Sequence, residues 1–278
     1  MTTWTKSTRK WQRKISMRLY RVGKELYQRR PMSGHTAVDK KMLLIIGCQR
    51  SGTTLVTRIF ERDLNTKVYP EHSEISDRDQ LDGLRLNPLE TVQQTIAANP
   101  FPFTVLKPLV ETQNAPVLLD FFSQAKALWM FRHYTDVANS NLQRFGMGNG
   151  IKNLRFIAQR VEGNWRYENT PPEMVALVDK YFAEDMNPYD AAALFWIVRN
   201  QFFFEYNLGQ NPRVLMCRYS DLVTKPNEMV GRIYDFVGQK YPGERLVSEV
   251  NTASIGKGRK IDLSPEIEAL CDEMLARL

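Results

Sequence analysis

Histidine and cysteine are both scarce, with three of each in 278 residues. His35, His72 and His133 are scattered and lack the spacing of a histidine-based metal site. Cys48, Cys217 and Cys271 are an odd set without metal-like spacing, and reduced thiols in a cytoplasmic setting are the simplest reading. No run of eighteen apolar residues exists, so the sequence holds no candidate for a membrane-spanning helix. The N-terminus lacks the apolar core of a signal peptide, and export by that route is not expected. There is no Asn-x-Ser/Thr glycosylation acceptor, no internal repeat and no low-complexity tract.

Basic charge is plentiful. Lys and Arg number 38 against 31 Asp and Glu, a net charge of +7, which favours anionic partners such as nucleotides, acidic glycans or lipid headgroups. Much of the excess lies before residue 42, where only Glu25 and Asp39 oppose it. Trp11, Ile15, Leu19, Val22 and Leu26 recur there at helical spacing, and Arg13, Lys14, Arg18, Arg21 and Lys24 fill the other faces. This is the pattern of a basic amphipathic helix. Such a helix packs on its own domain or a partner subunit, or docks residues 1–30 peripherally on a membrane. Nucleic acid is not expected, because no recognition motif accompanies the charge. A polar joint, Arg29 to Lys41, closes this segment and divides the chain into a basic helix and linker (1–41) and a main domain (42–278).

Hydrophobic residues make up 43% of the chain, enough for a sizeable core. "MLLIIG", "KVYP", "FTVLKPLV", "KALWMF" and "RVLMCRY" read as strands. Helical segments alternate with them, including "TTLVTRIFERDL", "ETVQQTIAAN", "APVLLDFFSQA" and "TDVANSNLQRF", the last with Thr135 as its N-cap. A mainly helical stretch runs from about 145 to 208, and two further helices close the chain. The alternation predicts an α/β fold with a central parallel sheet flanked by helices, in the manner of P-loop nucleotide-binding folds. Sites in such sheets form at the carboxyl ends of the strands. That directs attention to "GCQRSGTT", "PEHSE", "KPLVE", "RHYTD" and "RYSDL".

The first of these spaces Gly47 and Gly52 as a phosphate-binding loop does, yet Thr53 and Thr54 follow where Lys and Ser/Thr belong in a triphosphate loop. Inward-pointing amides and a helix N-terminus suit a phosphate. Without the loop lysine, a triphosphate loses a main counter-charge for its γ-phosphate. Arg50 projects instead, so the loop suits a nucleotide with one 5′-phosphate and another group beyond it.

"GCQRSGTTL" resembles the 5′-phosphosulfate-binding loop of the sulfotransferases that use 3′-phosphoadenosine 5′-phosphosulfate (PAPS), contributing Gln49, Arg50, Ser51, Gly52, Thr53 and Thr54. "LWMFRHYTDVANSN" is similar to the family's 3′-phosphate motif, a strand followed by Arg132 and, eight positions on, Ser140. "VLMCRYSDLVTKPNEMVGRIYDFVG" resembles a third family segment, which places Tyr219 near the cofactor. "TASIGKGRK" is similar to the C-terminal loop that caps the 3′-phosphate, matching at Ser254, Gly256 and Lys257. The same residues admit structural roles: Arg132 paired with Asp136, Tyr219 in the core, Lys257 in a solvated charge run. The resemblance covers residues 42–278 and leaves the basic helix outside it.

What the resemblance implies is sulfuryl transfer from PAPS to a hydroxyl of a glycan, lipid or small metabolite, by in-line displacement, leaving 3′-phosphoadenosine 5′-phosphate (PAP). Cytosolic members place a histidine two residues after a strand lysine; here Lys107 is followed at that place by Leu109. Protein-tyrosine members use a glutamate about twenty residues after the loop arginine, and Glu71 stands there. The chain thus resembles the glutamate-base branch, with Glu71 as base and Arg50 and Lys107 at the transferring group. His72 and Glu74 are the rival bases, although neighbours on a strand point to opposite faces, so Glu71 and His72 are not expected to face the cofactor together. No metal is expected in the mechanism. The acceptor site is expected from residues 73–88 and the helical stretch, whose aromatics (Phe156, Trp165, Tyr167, Tyr181, Tyr189, Trp196) serve either a ligand or the core. The alternatives are an ATP-dependent P-loop phosphotransferase and a non-catalytic basic adaptor.

Overall fold

The computed structural model describes residues 23–24, 40–77 and 84–278. The expected N-terminal helix, apart from Gly23 and Lys24, lies outside the described residues.

Five strands form one sheet: β1 (Lys41–Gly47), β2 (Thr66–Tyr69), β3 (Phe103–Leu106), β4 (Ala125–Phe131) and β5 (Val214–Arg218), in the order β2-β3-β1-β4-β5 and all parallel. The main helices among the described residues are α1 (Thr53–Glu61), α2 (Leu89–Ala98), α3 (Ala115–Phe121), α4 (Tyr134–Phe145), α5 (Asn149–Ala158), α6 (Pro172–Tyr181), α7 (Pro188–Glu205), α8 (Tyr219–Thr224), α9 (Pro226–Val237) and α10 (Pro265–Arg277). None of the described helices is long and apolar enough to cross a membrane.

Alternate side chains of each strand serve opposite faces. Leu43, Ile45, Leu128 and Met130 pack with Val56, Ile59 and Phe60 of α1 and Ile233 and Tyr234 of α9. Leu44, Ile46, Ala127 and Trp129 pack with Leu194, Val198 and Phe202 of α7 and Cys271 and Met274 of α10. Burial on both faces explains why β1 and β4 read as continuous apolar runs rather than as alternating ones. Each fully buried Leu or Ile here contributes on the order of 1.5–3 kcal/mol.

α7 is buried on most of its circumference and carries Arg199, whose side chain is 0% exposed. Its guanidinium donates to Gln113 Oε1 (3.1 Å) and to the Leu109 carbonyl (3.4 Å), tying α7 to the 3-10 turn Leu109–Asn114 behind β3. Burial chiefly brings the Arg199 pKa down to about 10.

Two boundaries differ from the sequence expectation. β3 stops at Leu106, because Pro108 has no N–H for a strand ladder and the chain turns into the 3-10 segment. α4 begins at Tyr134, so its N-cap is His133 rather than Thr135; the imidazole Nδ1 accepts from the Thr135 amide (3.3 Å). β1 lies between β3 and β4: the chain passes from β1 to β2 and β3 on one side and then crosses to β4 and β5 on the other. The crevice at its carboxyl end is the switch point where open α/β sheets bind ligands.

Candidate active site

The β1–α1 loop opens directly into that crevice. Gly47 is at φ +121, and a Cβ there would lie 2.5 Å from the Met130 carbonyl oxygen on β4. Gly52 is at φ +95, and a Cβ there would lie 2.3 Å from the Tyr219 ring. Only glycine satisfies both positions, which accounts for the spacing seen in the sequence. Between them Arg50 adopts φ 69, a left-handed conformation that non-glycine residues seldom take. Its Nε donates to Ser140 Oγ (3.1 Å), so the loop is linked to the middle of α4. The Gly47 amide donates to Thr112 Oγ1 (3.1 Å), which fixes the start of the loop to the turn behind β3.

Arg132 comes directly after β4 and is nearly buried. Its Nη2 donates to the Ser254 carbonyl (2.6 Å) and lies 3.3 Å from Asp136 Oδ2, so the pairing with Asp136 is present. Nη1 reaches the Arg50 carbonyl (3.4 Å), and the guanidinium lies 4.4 Å from the Tyr219 ring centre. Beneath it, the Trp196 indole donates to the Arg132 carbonyl (3.0 Å). Asp136 also holds the C-terminal loop: its two oxygens accept from the amides of Gly256 (3.0 Å) and Gly258 (2.9 Å). The Tyr219 hydroxyl bonds Ser254 Oγ.

Glu71 and Lys107 come from the ends of β2 and β3, which are neighbours in the sheet. Lys107 Nζ lies 2.8 Å from Glu71 Oε2 and donates to Thr54 Oγ1 (3.2 Å). β2 ends at Tyr69, so Glu71 and His72 sit on a bend, not on a strand. Strand alternation no longer separates them, and both line the same cavity. Glu74 lies outside that lining and pairs with Lys67 (3.0 Å).

The cavity measures about 690 Å³. Of the residues the sequence singles out, it is lined by Gln49, Arg50, Gly52, Thr53, Thr54, Glu71, Lys107, Arg132, Ser140, Tyr219 and Ser254. Two others are not brought to it. Ser51, within the loop, is fully buried, and Lys257 is exposed, with its carbonyl taken by Asn139 Nδ2 (3.0 Å). On the far side of Arg132 and Tyr219, a second cavity of about 400 Å³ is lined by His133, Arg218 and Ile255 among others.

The cavity is strongly cationic. Burial, and after it the nearby charges of Arg144 and Arg132, lowers the Arg50 pKa, while Glu71 opposes the shift. The buried Arg132 Nε at the site has no hydrogen-bond partner among the described residues. A doubly phosphorylated nucleotide fits such a lining, since buried cations and donors gain most from anionic oxygens.

Sequence reasoning missed a second wall. Asn141, Arg144 and Phe145 of α4 and Asn149, Lys152 and Asn153 of α5 all line the cavity. The available signal was their i, i+3, i+4 spacing on each helix, which puts each triple on one face. Of the six aromatics named as ligand or core, Trp165 alone lines the cavity, while Trp196 is core. From the loop 73–88, Leu84 reaches it.

Over residues 40–268 the sequence matches the family model described as the sulfotransferase domain. No curated protein sequence matches the chain. Among solved structures, the fold is similar to the sulfotransferase domain from the curacin biosynthetic pathway, at 18% identity and a TM-score of 0.54, covering 86% of this chain and 97% of that one. It is also similar to the sulfotransferase domain of the Synechococcus PCC 7002 olefin synthase, at 18% identity and a TM-score of 0.52, covering 87% and 95%. At these identities the likeness is one of fold.

Proposed function

The chain belongs to the sulfotransferase family, and on that premise we propose that it moves a sulfuryl group from PAPS to a hydroxyl acceptor, with Glu71 as the base. The observation that carries the reading is the Glu71–Lys107 pair, 2.8 Å apart, in one cavity with the Gly47–Thr54 loop and Arg132. An ATP-dependent phosphotransferase is not favoured, since Thr53 stands where its loop lysine belongs and the family match points elsewhere.

PAPS supplies an activated sulfuryl group on its 5′-phosphate, whose departure leaves PAP. The loop amides and the hydroxyls of Thr53 and Thr54 hold the 5′ end. Arg132 and Ser140 hold the 3′-phosphate, with the Ser254–Lys257 loop closing over it and Tyr219 beside it. Glu71 accepts the acceptor's proton as the new oxygen–sulfur bond forms. Lys107 steadies the Glu71 carboxylate and, with Arg50, faces the negative charge that grows on the leaving oxygen; such a donor is typically worth about 2.7–4 kcal/mol in the transition state. Residues 42–278 form the catalytic unit in this reading, the stretch about 145–208 contributes to the acceptor wall, and residues 1–41 are an appended segment. The acceptor is a hydroxyl of a glycan, lipid or small metabolite.

The test is a transfer assay with sulfur-labelled PAPS and a panel of hydroxyl acceptors. Labelled sulfate esters with equimolar PAP are the expected outcome. Turnover of ATP with magnesium, unaffected by added PAP, would overturn the reading.

A further inference from the structure

The wall formed by α4 and α5 carries chemistry that donor binding leaves unused. Arg50, Lys107 and Arg132 follow the ends of strands, whereas Arg144 and Lys152 belong to α4 and α5. Neither Arg144 nor Lys152 forms an ion pair with a described residue. Among the described residues, the cavity's single lining carboxylate is Glu71, already held by Lys107. Both side chains are exposed, so water serves them beside a neutral acceptor, while an anionic group on the acceptor can pair with them.

Three amides complete the wall. Asn149 Nδ2 donates to Asn141 Oδ1 (2.7 Å), which joins the two helices, and Asn153 stands one turn further along α5. Their place is fixed by Gly150, where a Cβ would lie 2.6 Å from the Ala192 amide; its absence lets α5 press onto α7 and turn this face to the cavity. Asn153 Oδ1 accepts from Arg166 Nε (2.6 Å), so it is the remaining hydrogens and lone pairs of these amides that suit sugar hydroxyls. Phe145, 55% exposed, adds a flat apolar ring face at the mouth, with Arg50 at 5.8 Å and Arg144 at 6.0 Å from its centre.

We infer that this wall selects an acidic carbohydrate as acceptor, with Arg144 and Lys152 pairing to a carboxylate or sulfate on a sugar near the reacting hydroxyl. The inference rests on the sulfuryl-transfer reading and specifies its acceptor.

The test uses the full chain and isothermal titration in two stages. PAP is added first, and its binding reports on the donor reading by itself. With PAP present, a hyaluronan tetrasaccharide and its carboxyl-reduced, neutral counterpart are then compared at low salt. The acidic form should bind at least about tenfold more tightly, the scale of one charged hydrogen bond. In the Arg144→Gln/Lys152→Gln double variant the two forms should bind within about threefold of each other. Wild-type protein that binds the acidic form no better than the neutral one overturns the inference, with the donor reading intact if PAP has bound. An acidic hydroxyl-bearing peptide of equal charge that binds more tightly than the tetrasaccharide overturns the carbohydrate assignment.

Discussion

Glu71, Lys107 and Arg50 form the chemical centre of the proposal, and each owes its place to the end of a different strand. The Glu71 carboxylate is fixed by an ammonium that is itself held by Thr54. Removing the charge while keeping the shape should separate chemistry from binding. We expect Glu71→Gln to lower kcat by about 10²–10⁴, the range of general base catalysis, with PAP affinity nearly unchanged in a titration. Full activity in that variant would pass the base role to His72, which faces the same cavity. The thiols give a second prediction at this scale. All three cysteines are buried, and burial above all pushes Cys48 and Cys217 up to about 12 and raises Cys271 as well. The thiolate is the nucleophile, so the native chain should react negligibly with a disulfide reagent at pH 8 and release three equivalents once unfolded. Rapid native labelling would show that these side chains reach solvent.

At the scale of elements, the loops build the candidate site and the glycines decide their paths. Gly47 and Gly52 were legible from spacing alone, because the phosphate loop is a local structure. Gly258 was not, since its constraint comes from a helix more than a hundred residues away: a Cβ there would lie 2.0 Å from the Thr135 carbonyl oxygen. Gly258→Ala should therefore lift the C-terminal loop from α4, break its bonds to Asp136 and weaken PAP binding by at least about tenfold, since a single hydrogen bond to a charged group is already worth about 1.5–3 kcal/mol. Unchanged PAP affinity in this variant would mean that the loop has no part in gripping the nucleotide. The helix start at His133 shows the same limit. Propensity favours Thr135 as a cap, but the strand end at Phe131 leaves room for the turn two residues earlier.

At the scale of the molecule, the parallel sheet was readable because β1 and β4 are apolar on both faces, a pattern that half-buried strands do not show. The lining of the cavity was readable where it lies just past strand ends, as at Glu71, Lys107 and Arg132. The contacts that join distant segments were not readable. Arg85 pairs with Glu111 (2.6 Å) and Glu168 (3.0 Å), and Gln113 and Asn114 also donate to Glu168 (2.8 and 3.2 Å). This network ties the segment after β2 to the turn after β3 and to the loop before α6, and no local pattern announces it. Breaking one partner of a buried pair is costly, so Glu111→Ala should lower stability by about 3–5 kcal/mol in urea unfolding. A loss under about 1 kcal/mol would show the network to be incidental.

In the proposed reaction one nucleotide is held at both ends, by the Gly47–Thr54 loop and by Arg132 with Ser140. The most direct measurement is a comparison of PAP with AMP, which lacks only the 3′-phosphate, by calorimetric titration of the full chain. PAP should bind at least about tenfold more tightly than AMP, because the buried Arg132 guanidinium meets a phosphate in one case and not in the other. Equal affinity for the two nucleotides would contradict it.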